Sequence, residues 1–479
     1  MLTKIKISNF KSFSEEQTLE LAPITLIFGP NSSGKSTIIQ SLLGVKQTLL
    51  SPQVQGDLVA NGSCLDLNSY ESIVNGHDIT KNIKIAFSFS LNLSAIDYKD
   101  IYSSEPVFAM SDIRNINLTY SYKKPDEVGT SSSYLKKFKY SVDSAIGGNE
   151  EKIRLEISKG EKDYTQELIE NYYGQGDTVD SLSKYIYKRI ERVIGENEKA
   201  IIKNSIWTEI KENIYKINKN ISIPFTLQGT KKYFAFANSY LDRFSIEIKN
   251  ELENIKYLGP LRTTPKRFYL PGTNNNIKMK GESNLGGELY ESGEKTIVEI
   301  NNWLTSFEIP YTLSIQNFGN KLSGDIISIV LKDQRNDAEV TPMDVGFGIG
   351  QVLPIITDAI VSKNSIICVE QPEIHLHPRL QAHLADLFIG SVLSNKLDRN
   401  SKIKNQWIIE THSEALMLRI QRRIREKKIN KELVKVYYVN ADKNGSKVID
   451  LPLDDDGDFL THWPHGFFDE RTHEIFGGY

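Results

Sequence analysis

The chain has 479 residues, 39% hydrophobic and 25% charged, which is too long for one ordinary core and fits a globular protein of two or more lobes. Lys plus Arg number 58 and Asp plus Glu 61, so a net charge of −3 excludes a global basic excess, and any nucleic-acid contact needs a local patch. The two cysteines, Cys64 and Cys368, form no disulfide or zinc pattern, and with no signal-like h-region and no apolar run of about 18 residues, a cytoplasmic chain without membrane contact is expected.

The first 40 residues read strand, loop, strand, loop, helix. Leu2, Ile5, Ile7 and Phe10 alternate imperfectly, and "ITLIFGP" is a short buried-strand run. Gly29, Pro30, Asn31, Ser32, Ser33, Gly34, Lys35 and Ser36 then fit G-x-x-x-x-G-K-[ST] in full. The match is followed by Thr37 and by apolar residues at helical spacing. Glycines let the backbone curl so that several N–H groups face one anion, and the helix N-terminus adds positive charge. Lys35 is expected on the β- and γ-phosphates of ATP and the Ser36 hydroxyl on Mg²⁺.

Ile83, Ile85, Phe87, Phe89 and Leu91 alternate strictly, as do Ile116, Leu118, Tyr120 and Tyr122, and then Ile153, Leu155 and Ile157. The pattern predicts consecutive antiparallel strands with one buried face. The chain turns polar at about 124–150, and "SLSKYIYKRIERVIGENEKAIIKN" has helical periodicity. These shifts divide the chain into residues 1–125, a mainly helical insertion over 126–255, and residues 256–479.

"IISIVLKD" and "SIICVE" return to buried-strand character. Between them, "MDVGFGIGQVLPIITDAI" sets Gly346, Gly348 and Gly350 before a helix-like run, a second helix N-terminus that could present amides to a phosphate. Glu370 ends the next apolar strand, where a magnesium carboxylate is needed. "EQPEIHLHP" lacks the cysteines that would complete a separate metal set. In "WIIETHSE", His412 follows another apolar strand, in the order expected of a γ-phosphate sensor. Arg419, Arg422, Arg423, Arg425, Lys427, Lys428 and Lys431 lie on or just after an amphipathic helix anchored by Leu416, Ile420 and Ile424. That helix is either a solvated face or a contact to DNA phosphates. "LPLDDDGDF" reads as an acidic hairpin turn.

"NFKSF", "GPNSSGKST", "YLGPLR", "VGFGIGQVLP", "VEQPEIHLHP" and "ETHSE", in this order, resemble the ABC-type ATPase heads of the SMC, Rad50 and RecF class. More narrowly the chain looks like bacterial ATPases related to the overcoming-lysogenisation-defect proteins. The resemblance covers residues 1–92 and about 256–479. It implies an α/β fold: a two-lobed ABC-type ATPase head with an inserted mainly helical region. It also implies two ATP molecules bound between two protomers, with Gly346 and Gly348 capping in trans. The hydroxyl of the usual signature serine has no equivalent in "VGFGIGQ". Gln53 and Gln55 are candidates for the loop glutamine of the magnesium shell, and Arg262 of "YLGPLR" for a nucleotide contact or a link between lobes.

The same alignment sets Glu370 on the magnesium carboxylate, Gln371 on the catalytic glutamate, and Glu373 on a glutamate that the family uses structurally, which could substitute as base only if its carboxylate turned toward the γ-phosphate. A glutamine orients water but cannot take its proton, so slow hydrolysis is expected. By resemblance the partner is a second head and a separate nuclease or toxin effector of an anti-phage system. The alternative is a DNA-repair head.

Overall fold

A computed structural model describes residues 1–51, 58–92, 113–124, 133–146, 149–159, 164–167, 246–262, 265–271, 285–393 and 405–464. The chain forms two compact units that interleave in sequence. One holds Met1–Glu20, Gly44–Asn61 and Leu67–Glu253, and the other Leu21–Leu43, Gly62–Asp66 and Asn254–Tyr479. Strands β1 (Leu2–Ser8) and β2 (Gln17–Glu20) open the first unit, and β3 (Ile24–Phe28) opens the second. Helix α1 (Lys35–Leu50) starts in the second unit and ends in the first, followed by the short α2 (Tyr70–Ile73).

The first unit is an antiparallel sheet of β1, β2, β4 (Ile83–Asn92), β5 (Ile113–Lys123), β6 (Tyr134–Ile146), β7 (Asn149–Lys159) and β8 (Tyr164–Glu167). Its order is β2-β1-β4-β5-β6-β7-β8. Period-two patterning explains the buried face: Ile5, Phe87 and Leu118 sit in register across three strands, as do Ile7, Ile85 and Tyr120. All six are buried. Within the helical insertion expected over 126–255, the segments 134–146, 149–159 and 164–167 are strands instead, and they extend the antiparallel sheet. The alternation of Ile153, Leu155 and Ile157 outweighs the helix propensity of the intervening Lys and Glu residues. Residues 246–253 are helical, whereas the segment 181–204 lies outside the described residues.

The second unit is built on a six-stranded sheet, β16-β15-β3-β14-β13-β9 in order. It joins β9 (Ile255–Leu258), β13 (Ile366–Glu370), β14 (Gln406–Glu410), β15 (Val434–Asp442) and β16 (Gly445–Asp450) to β3. All neighbours are parallel except the β15–β16 hairpin. Every residue of β3, β13 and β14 is buried, which is why these strands read as continuous apolar runs rather than alternations. A separate sheet holds β10 (Tyr311–Asn317), β11 (Ile327–Asp333) and β12 (Glu339–Val340). Helices α3 (Leu285–Ser292), α4 (Glu294–Ser306), α5 (Phe347–Val361), α6 (Pro378–Leu393) and α7 (Glu414–Arg425) complete the unit. Trp407 of β14 packs on Phe388 of α6 with ring centroids 4.6 Å apart, inside one core. The carboxyl ends of β3, β14 and β13 share one edge, the usual place for a ligand in such a sheet.

Candidate nucleotide site

The loop after β3 curls because three of its residues take positive φ: Gly29 at 144°, Ser32 at 62° and Gly34 at 101°. A Cβ on Gly29 would also run into the Val439 carbonyl oxygen of β15. From β16, the Ser446 hydroxyl donates to the Ser33 carbonyl oxygen at 2.6 Å, so the β15–β16 hairpin supports the loop from outside. Helix α1 begins at Lys35, leaving its first N–H groups without partners inside the helix. The Lys35 ammonium donates to the carbonyls of Gly29 at 3.0 Å and Pro30 at 2.8 Å, and lies 3.9 Å from Glu410 Oε1. Burial pulls its pKa below the ordinary lysine value, against the opposing charges of Glu410, Glu373 and Glu370.

Two neighbouring strands end in carboxylates, for Glu370 and Glu410 are partners in the β13–β14 register. Glu370 is 6% exposed and accepts the Tyr257 hydroxyl at 3.1 Å. Burial and the Glu370 charge push that phenol well above the usual tyrosine range. Glu410 is 4% exposed and accepts the Ser36 hydroxyl. Burial raises its pKa, while Ser36 and Lys35 lower it.

Gln371 holds a left-handed backbone at φ 45°, a conformation that costs a non-glycine residue about 1–3 kcal/mol and concentrates at functional sites. Its N–H donates to the Glu410 carbonyl oxygen at 2.7 Å. Its own carbonyl accepts from Arg262 Nη2 at 3.3 Å, as the Glu370 carbonyl does at 3.0 Å. Arg262 is therefore no surface residue: it is 6% exposed, and burial lowers its pKa to about 10. Its backbone N–H also donates to Gln351 Oε1 of α5 at 3.3 Å, so it ties the β13 turn to that helix.

Glu373 differs from the role allowed for it as a substitute base. Its Oε2 accepts the Thr411 hydroxyl at 2.8 Å and its Oε1 accepts the His412 N–H at 2.6 Å. Both oxygens are spent on orienting the β14 loop, which makes Glu373 a positioning residue for His412. Burial first, then the Lys35 charge, lowers the His412 pKa to about 4, so the imidazole is neutral near pH 7 and suited to a phosphate oxygen.

The glycines before α5 differ from one another. A Cβ on Gly348 would lie 2.9 Å from the His375 carbonyl oxygen, and one on Gly350 3.3 Å from Pro265, so packing explains both. Gly346 caps the helix at φ −55°, ψ 142°, and its missing Cβ would meet no described atom within 4 Å. Gln53 and Gln55 lie outside the described residues.

The order of the site along the chain (phosphate loop, Arg262, helix α5, carboxylate turn, histidine) matches an ATPase domain. The AAA ATPase domain family model matches residues 1–417. The chain belongs to that family. Residues 429–476 match a second family, described as a protein of unknown function (DUF3696). A chromosome partition protein Smc of Halothermothrix orenii is 24% identical over 234 residues, 46% of this chain and 19% of that protein. This ATPase therefore spans under a fifth of the length of that curated relative. Among solved structures, an SmcHead bound to the C-winged helix domain of ScpA is 11% identical, covering 95% of this chain and 98% of that one, at a TM-score of 0.41. The SMC head domain from Thermotoga maritima is 10% identical over 95% and 99% of the two chains, at a TM-score of 0.38.

The donor set fits a magnesium nucleotide. The loop closes on Gly29, where a Cβ would clash, and Glu410 Oε2, Arg262 Nε and Arg262 Nη1 are buried without a hydrogen-bond partner. Among the described residues, the site included, no three His, Cys, Asp or Glu side chains form a metal-binding group by themselves, so a cation here needs Ser36 and the nucleotide to complete its shell. No helix among them is long and apolar enough to cross a membrane.

Six of the seven cations of the basic stretch have acidic partners within its own unit. Helix α7 stops at Arg425, and Lys427 turns the chain at φ 56°. Arg419 and Arg423 both bind Asp386, and Arg422, Arg423 and Lys428 face Glu426. Arg425 pairs with Asp458 and Lys431 with Asp455, both in the acidic turn, where the Asp454 carboxylate accepts the N–H groups of Asp456 and Asp458. We expect an Arg422, Arg423, Arg425 triple alanine to lower the melting temperature, through the loss of Arg423 from Asp386. We expect it to change the salt slope of any DNA binding by less than about 1, where three phosphate contacts would remove about 2.7. A fluorescence-anisotropy salt titration distinguishes the two.

Sequence reasoning missed Glu410, Tyr257 and Gln351. The signal for Glu410 was present, because "WIIE" repeats the apolar-run-then-acid pattern of "IICVE" one strand away.

Proposed function

We propose that this ATPase binds ATP at Gly29–Thr37, hydrolyses it slowly, and uses occupancy to clamp two heads together. In this reading the clamp controls a separate nuclease or toxin effector, as in bacterial anti-phage ATPase subunits. The observation that carries the reading is Gln371. The residue at the catalytic position has no carboxylate, and the next acid along the turn, Glu373, has both oxygens bound to the β14 loop. Lys35 moves from the loop carbonyls to the β- and γ-phosphates, while the Asn31–Lys35 backbone and the α1 N-terminus surround them. Ser36 and Glu370 would hold Mg²⁺, which would supply neutralisation of the developing phosphate charge. The Gln371 amide orients the attacking water without accepting its proton, and neutral His412 donates to the γ-phosphate. Glu373 fixes the backbone of His412, and Arg262 fixes the carbonyls of Glu370 and Gln371.

Gly346 is the trans-facing position in this account, because no described neighbour within its own chain needs it to be glycine. Native mass is expected to double with Mg·ATP and to stay monomeric in Gly346→Arg, which still binds ATP. Purified from its own cells with ATP, the wild type is expected to retain a stoichiometric effector. An unchanged mass with ATP sinks the clamp, and a dimer that brings down DNA alone moves the assignment to a repair head.

A further inference from the structure

Three carboxylates surround Lys35, Glu370 and Glu410 buried and Glu373 half-buried, and two of them have their partners assigned: Glu370 takes the Tyr257 hydroxyl, and Glu373 takes Thr411 and His412. The third, Glu410, is different. Its carboxyl accepts the Ser36 hydroxyl and its Oε1 lies 3.9 Å from Lys35 Nζ, yet its Oε2 is buried without a hydrogen-bond partner. The residue is 4% exposed, so water does not fill that need from bulk. An unsatisfied buried carboxylate oxygen is costly, and a cation is the partner that best removes the cost. Its neighbours identify the side of the site it faces. Ser36 is the loop hydroxyl placed for the divalent cation, and Glu370, the other acid placed for it, is its register partner across the parallel β13–β14 pair. Gln371, by contrast, touches Glu410 only through the backbone, its N–H on the Glu410 carbonyl.

We propose that Glu410 is a second acidic ligand, direct or through water, of the divalent cation that accompanies ATP, beside Ser36 and Glu370. The inference rests on the nucleotide reading above and adds to it a residue from a third strand.

The test is ATP affinity measured by calorimetry, with excess EDTA and with magnesium, in the wild type and in Glu410→Gln. Wild type is expected to bind ATP more tightly with magnesium, and Glu410→Gln to lose about 10- to 100-fold of that gain, as loss of a group supporting a metal does. Its affinity in EDTA stays at the wild-type value or rises, which also reports that the variant is folded. Glu410→Asp keeps the charge with a shorter reach and is expected to fall between the two. Manganese in place of magnesium provides a spectroscopic readout: the electron paramagnetic resonance signal of bound Mn²⁺ with ATP weakens in Glu410→Gln. If Glu410→Gln keeps the full magnesium gain, and traps unhydrolysed ATP instead, Glu410 is a proton acceptor and the proposal is overturned. If the wild type binds no ATP under either condition, the nucleotide reading itself fails.

Discussion

Gln371→Glu is expected to raise the turnover number by about 10²- to 10⁴-fold, the usual contribution of a general base. The backbone already places side chain 371 at the end of β13, at φ 45°, with its N–H on Glu410 and its carbonyl on Arg262. The substitution is isosteric, so these clamps stay in place and only the proton-accepting oxygen is new. The gain is largest if the carboxylate keeps an ordinary pKa. Burial raises Glu373 and Glu410 in the same region, so the gain is expected to grow as pH rises. Steady-state phosphate release, followed from pH 6 to pH 9, checks both statements.

Lys35→Ala is expected to abolish detectable turnover, with a loss of about 10²- to 10³-fold in kcat/KM for removal of one charged donor to the phosphates. A second effect follows from the burial of the pair. Lys35 and Glu410 have side chains 4% and 6% exposed, and removing the cation leaves Glu410 without its nearest positive charge. Breaking such a pair costs about 3 kcal/mol, whereas removing both partners costs far less. Lys35→Ala is therefore expected to melt at a lower temperature than wild type, and adding Glu410→Gln to restore most of the difference. Calorimetric melting of the four proteins, without nucleotide, measures this coupling. Loss of ATP binding without any loss of stability would remove the Lys35–Glu410 pair from the account.

The parts legible in the sequence were those set by short-range pattern. The phosphate loop was complete as a string, and Gly29, Ser32 and Gly34 take the backbone angles that string requires. Ile85, Phe87, Ile116 and Leu118 announced their sheet by period two, and all face its buried side. The helical expectation over 126–255 did not hold for 134–146, 149–159 and 164–167, which are strands, as the alternation of Ile153, Leu155 and Ile157 already indicated for the second of them. Long-range pairings were not legible. Nothing local to Glu373 says that its oxygens meet Thr411 and His412, and nothing local to Arg262 says that it will be buried on two carbonyls 108 and 109 residues away. The basic helix shows the same limit in charge. Its arginines lie close together in sequence, but the acids that pair with the stretch, Asp386, Glu426, Asp455 and Asp458, come largely from other elements. Such pairings depend on the parallel register of β3, β14 and β13, which brings three distant turns to one edge.

The most direct test of the central claim is the chemical state of nucleotide carried by the wild-type protein. The protein is incubated with Mg·ATP, separated from free nucleotide by gel filtration, and its bound nucleotide quantified over minutes. This account predicts about one nucleotide per chain, still mostly ATP, eluting with a dimer. Bound ADP or no nucleotide, together with free phosphate released many times per second per chain, would contradict slow turnover at Gln371 and the clamp built upon it.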